Sequence, residues 1–267
     1  MDKISAVMKK FQTKWPIPPE LELYRHTARL SEADEYNAQI GEMSEFDCTL
    51  CNNKGMIGSM YNGILVLGYC KCYEQRRTIR QMRKAGVDAD KTFDNYIADQ
   101  PWQVESLKTA RAFVESGCGW LFVGGQVGAG KTHLCTAVIN AFMARGYQCA
   151  YMAWKDDGTK LKALVNEGEQ YEKMINRFKT AQVLYIDDFL KTKQGEMSTV
   201  GDVNLAFELL NYRYNNLVTI ISSERFIAEI ELIDEAVGSR IVERCKGNCI
   251  NIKREKMRNY RTQGVLV

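Results

Sequence analysis

The stretch GQVGAGKT at residues 125–132 sets three glycines, a lysine and a threonine at the spacing of a phosphate-binding loop. Glycines at 125, 128 and 130 let backbone N–H groups turn toward phosphate oxygens, with Gln126, Val127 and Ala129 filling the loop. Lys131 reaches the β- and γ-phosphates, Thr132 offers a hydroxyl to Mg²⁺, and His133 follows on the helix whose positive end faces the anion. A second signal is VLYIDD at 183–188, an apolar run ending in two acids. A buried strand delivers such carboxylates at its C-terminal edge, where open α/β sheets bind ligands. Asp187 is expected beside Mg²⁺ and Asp188 beside the attacking water, a pairing suited to ATP hydrolysis. A metabolic kinase would use the same loop but has no need of a water-activating acid.

The elements that must hold these residues alternate strand and helix from Trp120 onward. WLFVGG leads into the loop and the helix THLCTAVINAFMARG; QCAYMAW is a second strand, and a charged helical stretch fills 158–180. VLYIDD, the helix at 202–216, the strand LVTIISS, a helix around DEAVGSRIVERC and the strand CINIKR complete the pattern. Continuous apolar strands separated by helices predict an α/β fold, a parallel sheet covered on both faces. If LVTIISS lies between the first and third strands, Ser222, Ser223 or Glu224 faces the γ-phosphate; of these, Ser223 is placed in the catalytic set and the alternatives stay open. Arg240, with Arg244 one turn on, sits on a helix where a guanidinium is presentable to a neighbouring subunit.

Cys48 and Cys51, then Cys70 and Cys72, supply four thiolates in two close pairs, a donor set for structural zinc. Asn-Asn-Lys-Gly directly after the first pair is expected to form the tight turn of a zinc knuckle. The five other cysteines, Cys118, Cys135, Cys149, Cys245 and Cys249, read as small core residues, and His26 as a surface histidine. YEQRRTIRQMRKAG (73–86) reads as a basic helix ended by Gly86, and WPIPPE (15–20) breaks the first N-terminal segment. Residues 1–86 are therefore expected to form an N-terminal region with a four-cysteine zinc site (46–73). A linker follows at 87–102, and the ATPase domain occupies 103–267.

The 267 residues carry a net charge of only +3, with 45% hydrophobic and 26% charged residues, so overall charge does not declare a nucleic-acid binder. No apolar run has bilayer-spanning or signal-peptide length, and a cytoplasmic protein without membrane contact is expected. Basic patches occur at 71–84, at Lys155, Lys160 and Lys162, and at 253–261.

Taken in order, the phosphate loop, YIDDF, NYRYNNLVTIISSE and GSRIVERC resemble the AAA+ domain of bacterial and phage replicative-helicase loaders of the DnaC/DnaI type, over roughly residues 90–262. The resemblance implies an ATPase, and a slow one given Asp188 where most AAA+ proteins have glutamate. It implies an arginine finger at Arg240, self-assembly into a nucleotide-dependent oligomer, and a zinc-bearing N-terminal region that grips a hexameric DnaB-type helicase. It further implies contact of Lys155, Lys160 and Lys162 with single-stranded DNA during replication initiation, within a primosome. Arg261 in NYR stands where a C-terminal sensor would be sought. An IstB-like ATPase assisting a transposase shares the same core and is the alternative.

Overall fold

The computed structural model describes residues 31–192 and 196–262; WPIPPE and His26 lie outside them. The chain divides into two compact units, residues 1–70 and 71–267. In the first, α1 (Glu32–Ala38) is started by a reciprocal cap in which Ser31 Oγ accepts from Asp34 N and Asp34 accepts from Ser31 N. The apolar run at 63–70 becomes β2 (Ile64–Tyr69), paired antiparallel with β1 (Met56–Tyr61) across an Asn62-Gly63 turn. Both turn residues have positive φ, 49° and 78°, the conformation that matches the twist of a two-residue hairpin.

The second unit holds a five-stranded sheet of β3 (Trp120–Gly125), β4 (Cys149–Ala153), β5 (Val183–Asp187), β6 (Val218–Ser223) and β7 (Cys249–Ile252). Their order is β4-β5-β6-β3-β7, and every pairing is parallel. The strands are apolar throughout because both faces are covered. Leu121 and Val123 enter one core with Leu134, Val138 and Phe142, whereas Trp120 and Phe122 enter the other with Phe178, Leu209 and Ile241. The first core is closed by α2 (Cys72–Lys84), α3 (Pro101–Ser116) and α4 (Lys131–Ala144). The opposite face carries α5 (Trp154–Ala163), α6 (Gly168–Thr180), α7 (Val200–Arg213), α8 (Ile227–Ile233) and α9 (Glu235–Cys245). No helix among the described residues is long and apolar enough to cross a membrane.

Three expectations are corrected. The basic helix α2 belongs to the second unit rather than to a region ending at 86, because it packs on β4. Thr78 Oγ1 donates to Cys149 O at 2.6 Å and Gln75 Nε2 to Met143 O at 2.9 Å. Residues 87–100 are not a loose linker: Val87, Ala89 and Tyr96 are buried, and Asn140 Nδ2 donates to the carbonyls of Ala89 and Lys91, both at 2.8 Å. The charged stretch at 158–180 is two helices, so that Trp154 and Leu161 on one and Ile175 and Phe178 on the other all reach the same core.

Arg213, fully buried at the end of α7, ties that helix to the sheet. Its guanidinium donates to the carbonyls of Phe178, Lys179, Ala181 and Val218 and to Thr219 Oγ1, at 2.5–3.0 Å. These partners are all neutral, and burial pushes its pKa down to about 9. Replacing it with methionine strands four carbonyls in a dry interior, at a cost of about 3 kcal/mol or more. Urea denaturation of Arg213→Met should show that loss as a lower midpoint; a loss below about 1 kcal/mol would mean that water reaches these carbonyls.

Candidate nucleotide-binding site

The phosphate loop joins β3 to α4 as its sequence requires. Gly125 has φ 106°, and a Cβ there would lie 2.1 Å from the carbonyl oxygen of Ile252, so β7 leaves room only for glycine. Gln126 N donates to that same oxygen at 3.0 Å, pinning the loop to the sheet edge. Lys131 is 7% exposed, and its ammonium donates to the carbonyls of Gly125 at 2.9 Å and Gln126 at 2.8 Å. Burial pushes its pKa down, against the pull of Glu224 and Asp188. His133 Nε2 lies 2.9 Å from Asn95 Oδ1 and 3.1 Å from Thr92 O, with its ring edge-on to Tyr96, and burial lowers its pKa as well.

A cleft of about 460 Å³ opens over this loop. Val127, Gly128, Gly130, Lys131, Thr132 and His133 form one wall, and Asp188, Lys191 and Glu224 another; Lys91, Tyr260 and Arg261 complete the lining. Tyr260 N donates to Gly128 O at 3.0 Å, so the segment after β7 lies against the loop and brings Arg261 to the cleft.

The parallel register of β5 with β6 sets Ser222 beside the end of β5, and that places the acids. Asp187 is 8% exposed and accepts from Tyr151 Oη at 3.0 Å, Tyr185 Oη at 2.7 Å and Ser222 Oγ at 2.5 Å. Burial first, and the Asp187 charge second, push both phenols upward, so both remain protonated donors. Asp188 is the first residue beyond the strand and adopts a left-handed φ of 56°, its amide donating to Ser222 Oγ at 3.1 Å. Leu190 is left-handed too, at φ 54°, and Lys191 N closes the turn on Asp188 O at 3.0 Å. Lys191 Nζ stands 2.8 Å from Asp188 Oδ2 and 2.8 Å from Glu224 Oε1. Burial works against this ammonium, yet its hydrogen bonds to Asp188 and Glu224 prevail and raise its pKa.

Of the three γ-phosphate candidates, Ser223 is the one the geometry turns away. Its hydroxyl donates to Phe189 O at 2.8 Å and accepts from Arg225 N at 3.1 Å, inside the protein rather than in the cleft. Alternation along β6 explains this, since Ser222 and Ser223 point to opposite faces. Glu224 reaches the cleft and Ser222 supports both acids. Lys191, Lys91 and Tyr260 escaped the sequence reading; a lysine three residues after Asp188 was the one signal available for Lys191.

Arg240 lies outside its own chain's cleft, on α9. Its guanidinium covers the Phe207 ring at 4.5 Å and donates to Ala236 O at 2.7 Å and Asn211 Oδ1 at 3.3 Å. Arg244 lies over Tyr214 at 5.8 Å. On α5, Lys160 stands 3.7 Å from Asp157, and Lys162 is held at 2.5 Å by Asp202, the acid that caps α7. Lys155 is exposed in the first turn.

The sulfurs of Cys48, Cys51, Cys70 and Cys72 lie within 4.8 Å of one another. Cys48 Sγ is 3.8 Å from Cys70 Sγ, the separation of two ligands around a tetrahedral ion with metal–sulfur bonds of about 2.3 Å. Gly55 N donates to Cys51 Sγ at 3.2 Å and Arg76 Nε to Cys72 Sγ at 3.4 Å, donors that favour thiolates. Asn52 and Asn53 take positive φ, 47° and 64°, and Asn53 Oδ1 accepts from Cys48 N at 2.7 Å, forming the expected knuckle turn. The donor set suits zinc. Among the other cysteines, Cys135, Cys149 and Cys245 are buried as expected, but Cys118 is exposed in the turn before β3 and Cys249 is half-buried.

A family model described as "IstB-like ATP binding protein" matches residues 62–264. The phage-like element PBSX protein XkdC of Bacillus subtilis is 30% identical over 250 residues, covering 84% of this chain and 89% of that one. The crystal structure of the DnaC helicase loader superposes with a TM-score of 0.50 at 26% identity, covering 62% of this chain and 97% of that chain. The crystal structure of DnaI gives a TM-score of 0.51 at 22% identity, covering 62% and 91%, and shares the fold. With its parallel five-stranded sheet, phosphate loop and DnaC-like architecture, the chain belongs to the IstB/DnaC-like family of AAA+ ATP-binding proteins.

Proposed function

We propose that this protein is an ATP-driven assembly switch that loads a hexameric DnaB-type replicative helicase onto single-stranded DNA. The observation that carries the reading is the convergence of the phosphate loop and Asp188 on one cleft, with Asp187 next to it at the end of β5, in a chain with the architecture of a DnaC helicase loader. The backbone of residues 125–130, Lys131, Thr132 and His133 would hold the phosphates. Thr132 and Asp187 would hold Mg²⁺, and Asp188 would take the proton of the attacking water. Hydrolysis would be slow, as fits a timer.

Arg240 lies away from its own cleft, which suits a guanidinium offered to the site of an adjacent subunit in a nucleotide-dependent oligomer. Stabilisation of phosphoryl-transfer charge from across an interface makes hydrolysis a report on assembly. The four cysteines would bind one structural zinc ion and so fix the knuckle and hairpin. In the DNA-facing role, Lys155 and Lys160 are better placed than Lys162, whose ammonium serves Asp202. Binding there would act on the phosphate backbone and weaken with salt.

A second reading is an ATPase that assists a transposase, supported by the IstB description of the matching family. The two differ in partner, which decides the experiment. Sizing-column co-elution with the host's replicative helicase should give a complex with Mg·ATP that changes with ADP and is absent for Lys131→Ala. No complex in any nucleotide state, together with capture of a transposase, would favour the second reading. Independently, the purified chain should carry close to one zinc per protein by elemental analysis, and Cys48→Ser should lose it. A wild type that stays metal-free after refolding in zinc would overturn the metal assignment.

A further inference from the structure

The turn after β5 is an unusual place to find two left-handed residues without glycine. Asp188 and Leu190 both adopt positive φ, at 56° and 54°, a strain of about 1 kcal/mol or more each. Such strain persists only where the surroundings impose it. Here Ser222 grips both ends of the bend, its hydroxyl accepting from Asp188 N and its carbonyl from Phe189 N. Arg225 holds the far side, donating to Leu190 O at 3.2 Å and Thr192 Oγ1 at 3.2 Å. The result is a braced turn that sends two side chains, Asp188 and Lys191, into the same cleft as Lys131.

Lys191 is the cation that makes this wall tolerable. Asp188 and Glu224 both face the cleft, and an ATP bound on the loop would add phosphate charge beside them. One ammonium, 2.8 Å from a carboxylate oxygen of each, joins the two acids. An ammonium has three N–H donors, so two are engaged and one remains for a further anionic oxygen.

We infer that Lys191 is a catalytic residue that reads the γ-phosphate: its ammonium passes from Asp188 to a γ-phosphate oxygen when ATP binds and returns when phosphate leaves. This rests on the ATP reading of the cleft and deepens it. With ATP present, the γ-phosphate competes with Asp188 for the ammonium, and the freed carboxylate accepts a proton from water. The water oxygen bonds to the γ-phosphorus while the bond to the β–γ bridging oxygen breaks, and ADP departs with that electron pair. Asp188 then gives its proton to the departing phosphate; ADP offers no γ-phosphate oxygen, so the ionised Asp188 carboxylate pairs again with the Lys191 ammonium.

The test compares Mg²⁺-dependent binding of ADP and of a slowly hydrolysed ATP analogue, with single-turnover ATP hydrolysis, in wild type, Lys191→Ala, Lys191→Arg and Lys131→Ala. Lys191→Ala should bind ADP within about threefold of wild type, while analogue affinity falls by at least about tenfold and hydrolysis by more. Lys191→Arg, which keeps the charge, should recover most of the preference for the analogue. An unchanged ratio of analogue to ADP affinity in Lys191→Ala would overturn the inference. So would an equal loss of both affinities with a lowered melting temperature, which marks a purely structural lysine. If wild type binds and Lys131→Ala does not, such a result removes the Lys191 role alone; a wild type that binds neither nucleotide removes the ATP reading and this inference together.

Discussion

The hydroxyl of Ser222 is the joint on which the site depends. It donates to Asp187 at 2.5 Å and accepts from the amide of Asp188 at 3.1 Å, so one atom fixes both acids. That is possible only because β6 lies between β3 and β5, in parallel register with each. A slip of one residue in β6 would turn Ser222 away and present Ser223 in its place. The phosphate loop ends β3 on the other side of β6, so the same strand order brings loop and acids to one edge.

Holding charged groups at that edge requires a rigid base. Trp120 to Gly125 and Val183 to Asp187 are buried along their whole length, and both faces of the sheet are closed by packed side chains. Arg213 fastens α7 to the carbonyls around β6, and Arg225 braces the turn beyond β5. Within this frame the strained turn carrying Asp188 and Lys191 is sustained, because neighbouring hydrogen bonds offset its backbone cost. Among the described residues the hairpin and knuckle of the first unit bury far less: Tyr61, Ile64 and Tyr69 stand 67–70% exposed. A metal ion held by the four cysteines would add cohesion there.

Much of this was legible from residue order because the strongest signals are local. The phosphate loop, the acids closing VLYIDD and the paired cysteines each declare themselves within a few residues, and continuous apolar strands implied a sheet covered on both faces. The position of LVTIISS between the first and third strands was only a condition in the sequence, and the observed order meets it. What escaped was non-local. Nothing in the string says that Ser223 bonds Phe189 O while Ser222 serves the acids, since adjacent serines differ only in the face they meet. Lys191 and Lys91 become visible only when the turn and the 87–100 segment are folded onto the cleft. The basic face of α2 likewise concealed its attachment, because Thr78 and Gln75 reach carbonyls some seventy residues away.

Every proposed role acts through Mg²⁺-dependent ATP binding in the cleft over residues 125–132. Calorimetric titration of the wild-type chain with ATP, with and without Mg²⁺, tests it most directly. Saturable binding of one nucleotide per chain is expected, weakening when Mg²⁺ is removed, with competition by ADP at the same site. Absence of binding up to about 1 mM ATP, the limit of weak affinity near −4 kcal/mol, would contradict it.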